Sequence, residues 1–397
     1  MIVDLGDIRA ADASRVGPKM ARLGALAAAG WRVPDGYAIT AGALSDWLSA
    51  EARAELDRLL SAPAPAHVRD GPSEMPPGMP ALSAQSARAR EFIESQPLPA
   101  ALADAVAAAH ERLELRAGAG GVRGGGVRGG GVRGEDSPGA ALRVAVRSSA
   151  VSEDGDGASF AGQYETYLGV AGVPEVLRHI RKCWASGYSA HALEYRRRLG
   201  GTGPLSAHDL AVGVVALVDA RSAGVAFTLD PITGDRSTLV VEANWGFGES
   251  VVSGHVSPDH WTVDRNSGEI VTRRIGAKSS WSVFSPAAGR VVLEPAPADR
   301  AARPCLTDDE VRHLCREAAR IEEAAGGVPQ DVEWAVARDL PLPDSVFILQ
   351  HRPETTWEAS AAPDPAATAA TEPAPETAPG FDPVKYALRN VFKVPGA

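Results

Sequence analysis

The sequence has few cysteines, no long hydrophobic run and no excess of basic residues. Its 397 residues include 3 cysteines, none in a CxxC pair, which excludes a disulfide scaffold and a thiolate zinc site. The longest apolar runs, such as residues 210–218, reach about half of a membrane span. A net charge of −10 argues against a nucleic-acid partner, which would require a basic face. The opening MIVDLGDIRA carries acids unlike a secretory signal, so we expect a cytoplasmic protein without a membrane partner.

The remaining composition is that of a folded globular protein, with 45% hydrophobic and 23% charged residues. The length predicts two or three domains, or one bilobal unit. Helical periodicity marks residues 101–116, 174–198 and 307–325, the last with a capping box of Thr307 and Glu310. Strand-like segments mixed with these helices predict an α+β fold rather than a doubly wound parallel sheet. The predicted strands are 144–149, 212–218, 224–230, 238–245, 259–265, 331–337 and 345–352.

Three segments have a biased composition. A repeated GVRG tetrapeptide at 120–134, within an insertion at 118–135, lacks the aromatic residues of an RNA-binding tract and predicts a flexible loop. Residues 358–380 are rich in alanine and proline, which predicts a disordered linker. The final segment, 381–397, is amphipathic and cationic. We hypothesise that residues 381–395 dock a partner subunit, and a frayed tail is the alternative. The anchors would be Val384, Leu388, Val391 and Phe392.

Two basic residues stand beside small or hydroxyl residues that suit a phosphate. Arg147 ends a strand and precedes two serines and a loop rich in glycine, serine and aspartate. A guanidinium offers paired donors, and small residues allow close backbone approach. Lys19 follows Gly17 and Pro18 at the start of a helical pattern, where its charge adds to free backbone donors. A surface turn and a solvated lysine are the alternative interpretations.

Acidic and amide side chains alternate along two strands near the end of the strand-rich region. Asp331 and Glu333 share one strand face, and Ile348, Gln350 and Arg352 are predicted to share a face of the following strand. The short connection predicts a hairpin. Adjacent carboxylate and amide oxygens with an arginine beyond suit Mg²⁺ and a phosphate. An ordinary half-buried hairpin is the alternative, but an acid within VEWAV favours function.

Two further strand ends carry polar residues. Thr228 and Asp230 close an apolar strand before a turn, and Glu249 follows the loop WGFG. That loop lacks the GxGxxG spacing of a dinucleotide site, so a nucleotide rim and a simple loop remain as alternatives. Neither His255 nor His260 lies in a Gly/Thr-rich loop that would suit a phosphate carrier.

Five segments in fixed order resemble the N-terminal ATP-binding domain of the phosphoenolpyruvate synthase, pyruvate phosphate dikinase and rifampin phosphotransferase family. The resemblance spans roughly residues 10–357, so we assign residues 1–357 to this domain. It departs from the family at VGPK, where the family has GGK, and at the GVRG insertion. The segments are VGPKMARLGAL with AGWRVPDGYAIT, VAVRSSAVSEDGDGASFAGQYETYL, SAGVAFTLDPITG, EANWGFGESVVSGHVSPDHWTV, and PQDVEWAV with VFILQHRPET.

The resemblance implies a bilobal ATP-grasp-like fold that binds ATP and Mg²⁺. It assigns phosphate binding to Lys19, Arg147 and Arg352, which are also the catalytic candidates. It implies that Glu333 and Gln350 are magnesium ligands and that Asp331 is a neighbouring acid. Thr228 matches a residue near the phosphates, and Glu249 matches one at the ribose.

The resemblance also implies a reaction. Members of the family split ATP to AMP and phosphate and pass the β-phosphoryl group to a histidine of a separate swivelling domain. This sequence has no TSH-type histidine loop, so we expect an ATP-binding subunit that needs a phosphohistidine partner. The final acceptor would be pyruvate or another small molecule, such as the phenol of phenylphosphate synthase-like systems. The alternatives are direct phosphorylation of a small molecule and a non-catalytic ATP-sensing or scaffold module, and the intact cationic and acidic set disfavours the latter.

Overall fold

The computed structural model describes residues 1–61, 79–118, 142–151, 165–198, 210–254, 256–354 and 357. The GVRG repeat, the loop after Val151, the linker and the C-terminal segment lie outside these ranges, as does His255. The chain divides into two compact units, Met1–Val218 and a second that begins at Asp219. In the described ranges, no helix combines the length and apolar character that a bilayer crossing requires.

The first unit is built on a five-stranded antiparallel sheet with the order β1-β2-β5-β3-β4. Its strands are β1 (Ile2–Asp4), β2 (Gly36–Ile39), β3 (Arg143–Ala150), β4 (Thr166–Ala171) and β5 (Leu210–Ala216). Two 3₁₀ helices, Leu5–Asp7 and Ala10–Asp12, precede the first α-helix. The helices are α1 (Ala13–Ala28), α2 (Ala41–Trp47), α3 (Ala50–Ser61), α4 (Met79–Ser95), α5 (Ala100–Gly118), α6 (Val173–Ser186) and α7 (Ala190–Arg198).

The two faces of this sheet are covered differently. Alternate residues of β3 and β5, such as Val146 and Val214, join a large apolar core with helices α2 to α7. The opposite face lies under α1. A Cβ built on Gly213 would lie 2.3 Å from Met20 Sδ, so this glycine lets α1 approach β5 closely. Arg147 is the cross-strand neighbour of Gly213 and therefore lies on the α1 face.

The second unit contains a six-stranded antiparallel sheet with the order β13-β12-β6-β7-β8-β9 and a separate hairpin, β10-β11. Helix α10 packs on β6, β7, β8 and β12. The strands are β6 (Ala220–Phe227), β7 (Thr238–Trp245), β8 (Asp259–Asp264), β9 (Ile270–Arg274), β10 (Ser280–Ser285), β11 (Arg290–Pro295), β12 (Gln330–Ala337) and β13 (Val346–Pro353). The helices are α8 (Glu249–Val252), α9 (Ala298–Ala301) and α10 (Asp308–Ala324).

The predicted α+β class is confirmed, and each of the seven predicted strands overlaps a strand of the structure. The capping box at the start of α10 also forms, because Glu310 N donates to Thr307 Oγ1 at 3.3 Å and Thr307 N donates to Glu310 Oε2 at 2.8 Å. The helical stretch at 174–198 is two helices, α6 and α7. The chain turns after Ser186, and Ser189 Oγ accepts a hydrogen bond from Ala192 N at 3.2 Å at the start of α7.

Candidate functional site

The predicted polar hairpin forms from β12 and β13. Asp331 lies opposite Arg352, and Glu333 lies opposite Gln350. Arg352 Nε donates to Asp331 Oδ2 at 2.8 Å, and Arg352 Nη2 lies 2.7 Å from the same oxygen. Gln350 Nε2 donates to Glu333 Oε1 at 3.3 Å. Because opposite residues of an antiparallel pair project to the same side, these four side chains share one face of the sheet.

One detail of the hairpin prediction is wrong. The pairing register shifts between Glu333 and Trp334, so that Trp334 lies opposite Ile348 and β13 accommodates an additional residue, Leu349. Such a bulge puts the side-chain alternation out of phase on its two sides. Ile348 therefore shares the face of Trp334, whereas Gln350 shares the opposite face with Glu333. Strict alternation along the sequence could not foresee this bulge.

Asp331 is the most enclosed acid of the hairpin, with 5% of its surface exposed. Burial raises the pKa of its carboxyl group, the Arg352 charge opposes this shift, and the Glu333 charge adds to it. Asp331 Oδ1 is buried and has no hydrogen-bond partner among the described residues. A buried acceptor of this kind requires explanation, and a bound donor or cation would satisfy it.

The oxygen atoms of the hairpin fit Mg²⁺ held jointly with a phosphate. Within the described residues, no group of three or more His, Cys, Asp or Glu side chains could hold a metal ion by itself. Mg²⁺ does not need such a cage, because one or two carboxylates usually bind it together with water and substrate phosphates. Glu333 offers a carboxylate and Gln350 an amide, and the two groups are hydrogen-bonded to each other. Asp331, whose Oδ1 atom has no hydrogen-bond partner among the described residues, belongs to the neighbouring cross-strand pair with Arg352.

Thr228 lies at the end of β6 and joins this strand to β12. Its side chain is fully buried, and Oγ1 accepts a hydrogen bond from Gln330 N at 2.7 Å. Thr228 N donates to Gln330 O at 3.0 Å. Gln330 immediately precedes Asp331, so Thr228 holds the start of the acidic strand in place.

Glu249 is exposed at the first position of α8. Val251 of this helix joins a buried cluster with Val225, Phe227 and Val240. Val225 lies opposite Glu333 and Phe227 lies opposite Asp331, so α8 covers the sheet face that carries the polar hairpin residues. The second unit therefore brings Glu249 to the same face as the acids.

The first unit brings the Lys19 turn against the end of β3. Gly17 has φ +73° and ψ 158°, which interrupts α1 and makes Lys19 part of the first turn after the break. A Cβ at Gly17 would lie 2.2 Å from Ser149 Oγ. Met20 N donates to the same hydroxyl at 3.4 Å. The predicted position of Lys19 near a helix start is thus confirmed, and its neighbours Gly17 and Met20 both contact Ser149.

Arg147 is half-buried in β3, two residues before Ser149, and lies opposite Thr166 of β4 and Gly213 of β5. The Lys19 turn and Arg147 therefore occupy the same end of β3. Close by, burial raises the pKa of the Cys183 thiol to about 12, and the Lys19 charge acts in the opposite direction. The predicted site residues thus form two groups, Lys19 with Arg147 in the first unit and the remaining six in the second.

The sequence interpretation missed an acid–imidazole pair on the same sheet face. Glu242 lies opposite Val225 on one side and His260 on the other, in the row that contains Glu333. His260 Nδ1 lies 3.3 Å from Glu242 Oε1. The available signal was the same as for Glu333, namely an acid within an otherwise apolar strand.

Known proteins match this chain over most of its length. The family model described as pyruvate phosphate dikinase, AMP/ATP-binding domain, matches residues 13–372. A probable phosphoenolpyruvate synthase of Staphylothermus marinus is 35% identical over 375 residues, which cover 90% of this chain and 41% of that protein. A rifampicin phosphotransferase of a Streptomyces species is 38% identical over 361 residues, which cover 90% of this chain and 36% of that protein. The prodigiosin synthesizing transferase PigC of Serratia marcescens is 36% identical over 356 residues, which cover 90% of this chain and 33% of that protein.

The chain therefore spans about two fifths or less of these three relatives. The match of the family model covers most of the chain, including every predicted site residue. The resemblance inferred from five short motifs is confirmed by this match. The chain belongs to the pyruvate phosphate dikinase AMP/ATP-binding domain family.

Proposed function

We propose that this chain is the ATP-binding subunit of a dikinase-type phosphotransferase, with an ATP-grasp-like fold. In the second unit, Glu333 and Gln350 hold Mg²⁺, Arg352 binds a phosphate, and Asp331 fixes that guanidinium. Thr228 lies near the phosphates and Glu249 near the ribose. In the first unit, Lys19 and Arg147 supply phosphate-binding cations.

The observation that carries this proposal is the paired row Arg352–Asp331 and Gln350–Glu333 on one sheet face. Phosphoryl transfer demands little covalent chemistry from a protein and depends on positioning and on neutralising charge. A guanidinium held by a buried carboxylate is oriented before the nucleotide arrives. The adjacent carboxylate and amide keep oxygen ligands at the side where Mg²⁺ would neutralise the phosphates.

The proposed reaction consumes one ATP and one water and yields AMP, inorganic phosphate and a phosphohistidine. The β-phosphorus forms a bond to an imidazole nitrogen of a partner subunit, and its bond to the α-phosphate oxygen breaks to release AMP. Water takes the γ-phosphoryl group as inorganic phosphate. The phosphohistidine then passes its phosphoryl group to pyruvate or another small molecule.

The first experiment measures binding of Mg·ATP to the purified chain by calorimetry. The second follows ATP by ³¹P NMR, with and without the product of a neighbouring gene that carries a Gly/Thr-rich histidine loop. We expect binding by the chain alone and AMP with inorganic phosphate only when the partner is present.

Other products would contradict the relay. Phosphorylation of a small molecule without the partner would indicate direct transfer. Binding without any turnover in the complete mixture would indicate a sensing module. Absence of Mg·ATP binding would refute the proposed site itself.

A further inference from the structure

Helix α8 carries Glu249, but its four residues make it too short to orient itself. Two backbone bonds fix its first turn, from Val251 N and Val252 N to Gly248 O, each 3.0 Å. Its direction must therefore come from contacts with neighbouring segments. A polar contact of this kind comes from Asn244, near the end of β7.

The Asn244 side chain is fully buried, and all of its polar atoms are used. Nδ2 donates to Ser250 Oγ at 3.0 Å and to Ser280 O at 2.9 Å, and Oδ1 accepts from Trp245 N at 2.8 Å. Ser250 follows Glu249 in α8, and Ser280 begins β10. One amide thus joins the sheet, the helix of Glu249 and the β10-β11 hairpin.

The hairpin is in turn attached to the loop before α8. Phe247 N donates to Ser282 O at 2.9 Å. Gly246 has φ +75°, and a Cβ there would lie 2.1 Å from Ser282 O, so only glycine permits this approach. These contacts make the hairpin a firm support for the loop.

An arginine between two tryptophans adds to this support. The Arg300 guanidinium lies 5.4 Å from the ring centre of Trp245 and 5.0 Å from that of Trp281, and Trp245 Nε1 donates to Arg300 O at 3.0 Å. Arg300 therefore contacts both the end of β7 and the hairpin strand β10. Asn244 connects α8 to this support by hydrogen bonds to Ser250 and Ser280, in addition to the apolar packing of Val251.

We propose that Asn244 is a positioning residue for nucleotide binding, which ties α8 to β10 and so holds the Glu249 carboxylate toward the ribose hydroxyls of ATP. This inference rests on the proposed function, specifically on Glu249 as the ribose ligand. A residue with only a structural role would change stability, whereas a positioning residue changes how well the protein distinguishes a nucleotide with ribose hydroxyls from one without them.

The test compares the dissociation constants of Mg·ATP and Mg·2′,3′-dideoxyATP for the full chain by calorimetry. A hydrogen bond to a charged group is worth roughly tenfold or more in affinity, so the native chain should prefer ATP by about this factor. Glu249→Ala and Asn244→Ala should each bring the ratio close to one, while affinity for the dideoxy nucleotide changes little. The double variant should lose nothing further, because both substitutions remove the same contact.

Asn266→Ala is the matched control, because Asn266 is exposed in the turn after β8, and it should keep the native ratio. Ser250→Ala removes only the hydrogen bond between Asn244 and α8. It replaces Asn244→Ala in the test if near-ultraviolet circular dichroism shows that Asn244→Ala is not folded. If folded Asn244→Ala keeps the native ratio of dissociation constants, the positioning role of Asn244 is overturned, and Glu249 remains the ribose ligand. If Asn244→Ala does not fold, a native ratio in Ser250→Ala leads to the same conclusion. Equal affinities in the native chain would instead refute the ribose contact, and the inference with it.

Discussion

Arg352 and Asp331 form an ion pair across the β12-β13 hairpin. The Asp331 side chain is 5% exposed and the Arg352 side chain is 25% exposed. The pair fixes the arginine at the sheet face that also carries Glu333 and Gln350. Orientation of this kind is useful for phosphate binding because a held guanidinium loses less freedom when the ligand binds.

Substitution of Arg352 or Glu333 should abolish nucleotide turnover. Glu333→Gln removes one charge without a change of shape, and we expect Mg·ATP affinity to fall by about tenfold or more, with little change in the melting temperature. Arg352→Ala should cause a similar loss and also lower the melting temperature, because Asp331 loses its partner. Calorimetry and AMP formation in the complete system measure these effects.

The control for Glu333→Gln is Glu323→Gln, an exposed acid of α10, which should behave as the native chain does. Near-normal AMP formation by either Glu333→Gln or Arg352→Ala would show that the hairpin is not the phosphate site.

The raised pKa of Asp331 predicts a particular dependence of stability on pH. Burial is the main cause of the shift, so in the window between the ordinary value of about 3.9 and the folded value the native state binds more protons than the unfolded state. The contribution of Asp331 to stability is therefore present below that window and is lost as the pH rises through it. Asp331→Asn should remove this slope.

Urea unfolding from pH 4 to 7, without nucleotide or Mg²⁺, measures the effect. The difference between the urea midpoint of Asp331→Asn and that of the native chain should increase as the pH rises. A constant difference between the two midpoints would mean that Asp331 is ionised throughout, with Arg352 outweighing burial.

Gly17→Ala should damage the Lys19 turn. The backbone at Gly17 has φ +73° and ψ 158°, a region that is essentially restricted to glycine, and an added Cβ would meet Ser149. The strain alone costs about 1–3 kcal/mol. We expect the melting temperature to fall by roughly 2–4 °C for each kcal/mol, together with weaker Mg·ATP binding.

Gly6→Ala provides the comparison, because a Cβ there would meet no described atom within 4 Å. It should leave both the melting temperature and Mg·ATP binding near native values. Native stability in Gly17→Ala would show that the turn can relax away from Ser149.

Deletion of residues 120–134 should change ATP affinity little. The GVRG repeat has the glycine-rich composition predicted for a loop, and no aromatic or acidic residue accompanies its arginines. The closure entropy of such a loop varies only slowly with its length. Calorimetry with Mg·ATP compares the deletion variant and the native chain. A large loss of affinity would instead indicate that the arginines of the repeat contact the phosphates.

Local sequence patterns were sufficient to predict the α+β class, seven of the strands and the polar residues of the β12-β13 hairpin. Periodicity located the strands that carry Arg147, Glu333 and Gln350, and the capping residues located the start of α10, because these are local properties of a few neighbouring residues. The motif order also identified the family, since several short patterns in sequence are far more specific than one.

Contacts between residues far apart in the sequence depended on the three-dimensional fold. The bulge at Leu349 moved Ile348 to the other face, because register depends on the partner strand and not on the strand's own alternation. Ser149 reaches Gly17 across more than a hundred residues, and Asn244 links α8 to a hairpin about 36 residues further along the chain. Buried polar atoms must find partners wherever the fold supplies them, and local patterning carries no information about where those partners lie.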